Sequence, residues 1–91
     1  MTDAHLLIGS LSNDLLRLAT FTHNGSPAAR RFLTEAKRWA TPLASADLPP
    51  YIAKIVEDII LAPTALPSLA EAEKYLMYSV LLQNYALHST P

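Results

Sequence analysis

Ser68–His88, SLAEAEKYLMYSVLLQNYALH, is the longest uninterrupted helical pattern in the chain, and it is apolar on two sides. At 3.6 residues per turn, Leu69, Leu76, Val80 and Leu87 fall on one side, while Tyr75, Tyr78, Leu82 and Tyr85 fall roughly opposite. One face can fill a core; the other needs a partner as well. Ser68, followed three residues later by Glu71, forms a capping-box pattern that marks where this helix starts.

Working upstream, Pro63 and Pro67 bracket a turn. Before it, Ile52, Ile55, Val56, Ile59 and Ile60 give a buried stripe for a third helix, with Asp47 or Leu48 preceding it and Lys54, Glu57 and Asp58 facing water. The segment from Pro42 to Pro50, PLASADLPP, has turn composition. A second helix starts at Ser26 and Pro27 and is expected to end before Pro42. Ala29, Phe32, Leu33, Ala36, Trp39 and Ala40 share its apolar arc, with Phe32 and Trp39 as expected core anchors. Asn24 and Gly25 stop a first helix that Thr2 can cap, that Asp3 suits electrostatically, and that runs to about His23. Leu7, Leu11, Leu15 and Leu18, widened by Ile8 and Ala19, form its stripe. Gly9, Ser10, Ser12 and Asn13 are poor helix formers, so a start near Ser12 is the alternative.

These readings give an all-α chain, residues 1–91 as one helical domain, built as a four-helix bundle or an irregular four-helix array. Helices 1 and 4 are long, about 30 Å, and helices 2 and 3 shorter, about 20 Å. With 91 residues, a domain buries only about 60 to 65% of the surface its unfolded chain exposes. The composition is 51% hydrophobic and 16% charged, and surplus apolar area of this kind ends up against another chain. The absence of cysteine excludes disulfides, thiolate metal sites and cysteine nucleophiles. MTDAHLLIGS has no basic n-region, and no run of about 18 apolar residues occurs, so the expectation is a cytoplasmic protein with no membrane partner. A net charge of −1 argues against whole-surface attraction to nucleic acid.

Two constellations suggest contacts. The first is the tyrosine face. Tyr75, Tyr78 and Tyr85 could bury about 450 Å² per chain, or about 900 Å² across a two-fold axis. That falls just short of the roughly 1,000 Å² a specific interface needs. With Leu81 and Leu82 added, this face is the expected homodimer interface; the competing account makes it intramolecular core with hydroxyls at the rim. The second is the basic face of helix 2, comprising Arg30, Arg31, Thr34, Lys37 and Arg38. It would meet an acidic protein or, in a helix-turn-helix arrangement, nucleic acid. The plainer account is a solvated face with local pairing to Glu35.

Catalytic and metal chemistry find little support. In an up-down-up-down bundle the ends bearing His5 and His88 would meet near Asp3, an adventitious metal site at best. Asp14 sits beside the apolar arc of helix 1, partly desolvated and paired with a cation, but no second group accompanies it. No nucleophile elbow, di-iron pair or phosphate loop is present. The expected function is a non-enzymatic interaction or regulatory module, without cofactor or metal, that self-associates through helix 4. A small nucleic-acid-binding regulator using helix 2 is the alternative.

Overall fold

Each of the four apolar patterns folds as a helix in the computed structural model, which describes residues 4–88. They are α1 (Ala4–His23), α2 (Ala29–Leu43), α3 (Pro50–Leu61) and α4 (Leu69–His88). Thr2 and Asp3, expected to cap and charge the first helix, lie outside the described residues. α1 runs unbroken through Gly9–Asn13, because Ile8, Leu11, Ser12 and Leu15 are all buried there. Burying several large side chains, each worth about 1.5 to 3 kcal/mol, outweighs the roughly 1 kcal/mol that one glycine costs a helix.

The boundaries have local causes. Gly25 takes a positive φ of 69°, the conformation that ends α1. Ser26 then accepts from the Ala28 and Ala29 amides, through its hydroxyl and its carbonyl, and winds the entry to α2. Contrary to the expected stop, α2 continues through Pro42 to Leu43. The proline sits in the last turn, where it forgoes one bond to the carbonyl of exposed Arg38, and in return Leu43 is buried. Pro50 opens α3 at the first helical position, which its fixed φ suits. At α4 the capping box forms in both directions: the Glu71 amide donates to the Ser68 hydroxyl at 3.1 Å, and the Ser68 amide to Glu71 Oε1 at 2.9 Å.

Sequential helices are antiparallel. Phe21 stacks on Phe32 across the α1–α2 turn, with ring centroids 5.2 Å apart. Ser12 lies against Ser79, and His5 stacks on Tyr85, so α1 also runs antiparallel to α4. The result is an up-down-up-down arrangement, 39 × 21 × 20 Å, in which α1 packs along both α2 and α4. α3 rests on α2 and meets α4 along a narrow line. Ile8, Leu11, Leu15, Leu18, Leu33, Ile52, Ile59, Tyr75 and Leu82 form the centre of the core.

Phe32 and Trp39 are half-buried rather than core anchors. The buried arc of α2 is instead Ala29, Leu33, Ala36, Ala40 and Leu43. Its small alanines let the neighbouring helices come close, which displaces the two rings to the α1 flank.

Candidate functional site

α4 carries two apolar faces, and the structure turns the tyrosine face inward. Ala72, Tyr75, Ser79 and Leu82 are buried, while Tyr78 and Tyr85 are half-buried against the core. The expectation that Tyr75 and Leu82 wait for a second chain is therefore corrected: both are fully enclosed by their own chain. Tyr78 and Tyr85 have intramolecular partners too. The Tyr78 hydroxyl donates to Asp58 Oδ2 at 2.7 Å, and the Tyr85 ring lies 5.6 Å from that of His5. Leu81 is the one of the five that stays exposed, at 37% of its surface, at the edge of the outer face.

Small side chains determine which face goes in. Ser12 and Ala19 on α1 are seven residues apart, as are Ala72 and Ser79 on α4, and antiparallel packing sets Ser12 against Ser79. Two short side chains at one level let the helix axes approach, and the Ser12 hydroxyl donates to the Ser79 carbonyl at 2.7 Å. Ser79 satisfies its own hydroxyl on the Leu76 carbonyl. This recurrence of small residues was readable in the sequence, but a count of apolar positions passes over it.

The opposite face is left in solvent. Leu69, Leu76, Met77, Val80, Leu81 and Leu87 retain between 37% and 65% of their accessible surface. Leu16 on α1, also exposed, lies one turn beyond Ser12 and so on the side of α1 that borders α4. At about 130 Å² for a four-carbon side chain, the six α4 residues expose about 400 Å² of apolar surface. A strip of that size falls within the range of the largest patch on a monomer, which is often functional.

The basic face of α2 is narrower than expected. Arg30, Arg31, Thr34 and Arg38 are exposed, with Glu35 among them in a shallow depression. Lys37 leaves this face. Its Nζ donates to the Ile59 and Ile60 carbonyls, each at 3.0 Å, and to the carbonyl of Ala62. It thus caps the C-terminus of α3 with positive charge, where the helix dipole favours it. Burial pulls its pKa below the usual lysine value.

Asp14 is the buried polar group of the α1–α2 seam. Arg17 lies 3.8 Å from its Oδ1, and Oδ2 has no hydrogen-bond partner. Burial raises its pKa and the charge of Glu35 adds to this, while the Trp39 indole and Arg17 pull the other way. These residues, with Ser10 and Asn13, line a recess of about 190 Å³. At the end of the bundle, His88, Tyr85, Asn84 and Tyr51 line an open cleft. His5 stacks on Tyr85, so the ends bearing His5 and His88 come together as the up-down-up-down reading expected, while Asp3 lies outside the described residues. Among the described residues, no group of three or more His, Asp or Glu side chains is placed to hold a metal ion. No helix among them is long and apolar enough to cross a membrane.

No family model, curated protein or solved structure matches the chain.

Proposed function

We propose that the chain is a helical interaction module that self-associates through the outward aliphatic face of α4, and that its role is assembly rather than catalysis. The observation that carries this reading is the exposure of Leu69, Leu76, Met77, Val80, Leu81 and Leu87 along one side of a helix whose tyrosine face already packs within its own chain. Two copies would remove about 800 Å² of this apolar surface from water. Leu16 and the flanking polar side chains raise the total past the roughly 1,000 Å² that a specific interface needs. At about 25 cal/mol/Å² the gross gain is about 20 kcal/mol, against roughly 4 to 15 kcal/mol of lost freedom plus side-chain ordering. What is left, about 5 to 16 kcal/mol before side-chain ordering is subtracted, is enough to hold two copies together, and the packing of the contact rather than its area sets the affinity.

The test is mass by light scattering after size exclusion. At tens of micromolar the wild-type chain elutes at twice its monomer mass. Leu76→Lys combined with Val80→Lys gives a monomer with unchanged helicity, since both positions are exposed within one chain. A wild-type chain that stays monomeric at hundreds of micromolar would remove the reading.

A further inference from the structure

The outer face of α4 has an internal symmetry that specifies how a second copy would lie on it. Leu69, Glu73, Leu76, Val80, Gln83 and Leu87 follow one another at spacings of four, three, four, three and four, the period of a coiled-coil seam. All six are exposed. The seam is also symmetric about residue 78. Turned end for end, it places Leu69 against Leu87, Glu73 against Gln83, and Leu76 against Val80.

We infer that two copies pair antiparallel through α4, with a two-fold axis at the level of Tyr78 and Glu73 of each chain facing Gln83 of the other. This rests on the proposal that the outer face of α4 is the contact surface. In the antiparallel register each polar layer joins a carboxylate, which only accepts, to an amide that can donate. A parallel pair would instead set Glu73 beside its own copy, a like-charge layer in an otherwise apolar seam. Antiparallel pairing also suits the flanks, because it brings Met77 near Met77 of the second copy at the centre. Leu16 of each α1 lies along the same border, so the contact would widen from two helices to four.

The chain lacks cysteine, so single-cysteine variants report the register without background. Leu69→Cys and Leu87→Cys replace exposed side chains and leave the fold intact. Oxidised as an equimolar mixture, the two variants form a mixed disulfide dimer, with at least tenfold less disulfide in either variant alone. Gln83→Lys then tightens the dissociation constant about 2- to 30-fold, from two new exposed ion pairs with Glu73. Disulfide formation by each variant alone, or weaker association of Gln83→Lys, would overturn the antiparallel register while the wild-type mass still reports a dimer. A wild-type chain that remains monomeric overturns both this register and the surface reading beneath it.

Discussion

Tyr78→Phe tests how α3 is held to the rest of the bundle. α3 meets α4 along a narrow line, and there the Tyr78 hydroxyl donates to Asp58 Oδ2 at 2.7 Å while Lys74 stands 3.3 Å from the same oxygen. A hydrogen bond to a charged group contributes about 1.5 to 3 kcal/mol. Asp58 is partly exposed and keeps Lys74, so the expected loss is nearer 1 to 1.5 kcal/mol, out of a total of about 5 to 14 kcal/mol for a domain of this length. Urea melts of the wild type, Tyr78→Phe, Asp58→Asn and the double variant, at a concentration where the chain is monomeric, should give a coupling of about 1 kcal/mol. The pH dependence provides an independent check. Burial, followed by the hydrogen bond to Asp58, pushes the Tyr78 pKa up to about 12 from the ordinary 10.0. A raised folded-state pKa means that this stability is present below pH 10 and lost as pH climbs towards 12. Tyr78→Phe should therefore flatten the alkaline limb. Asp58 is shifted the opposite way, chiefly by the Tyr78 hydroxyl, so its contribution is held above its ordinary 3.8 and fades as the solution is acidified below that. Coupling under about 0.3 kcal/mol, with unchanged limbs at both ends, would refute the assignment of this bond as the α3–α4 tether.

Leu82→Ala should cost about 2 to 5 kcal/mol in denaturant melts, as a fully buried truncation, whereas Val80→Ala on the outer face should change monomer stability by under about 1 kcal/mol. Lys37→Met should lose about 1 to 3 kcal/mol by uncapping α3, read as faster amide exchange in the last turn of that helix together with a lower urea midpoint. Asp14→Asn should stabilise the chain at neutral pH. Because burial raises the Asp14 pKa, its charged form is the unfavourable one when folded, so the advantage over wild type should shrink as pH falls and the aspartate takes up a proton.

The helices themselves were legible because each apolar pattern is long and its ends carry specific chemistry: Ser68 with Glu71, Gly25, and a proline at the first position of α3. The two faces of α4 were equally legible, but which face goes inward was not. Periodicity weighs apolar residues alike, and by that measure the aliphatic side has as good a claim to the core as the tyrosine side. The decision lies in pairwise geometry. Ser79 matches Ser12 across a close helix contact, and Tyr78 and Tyr85 have Asp58 and His5 within reach once the chain is folded. Lys37 was misplaced for a related reason. A helical projection sets it with the arginines, but its long side chain reaches along the surface to three carbonyls that exist as a cluster only at the end of α3.

The inward choice also bears on what the outer face can do. If α4 had buried Leu69, Leu76, Val80 and Leu87, a tyrosine face would have been left outside, amphipathic enough to stay in water. The reverse arrangement exposes aliphatic side chains, which have no hydroxyl to solvate, and interrupts the seam from Leu69 to Leu87 with Glu73 and Gln83. Two polar layers in six lower the strength of any pairing. They also remove the long unbroken apolar strip that would bind indiscriminately, and they set one orientation above the other. A chain with so small a core would gain from such pairing, because a second copy that bound the folded form alone would shift the folding equilibrium by mass action. Its melting temperature should then rise with protein concentration. The same concentration series on Leu76→Lys with Val80→Lys should be flat, and a wild-type curve equally flat would separate the exposed seam from any role in assembly.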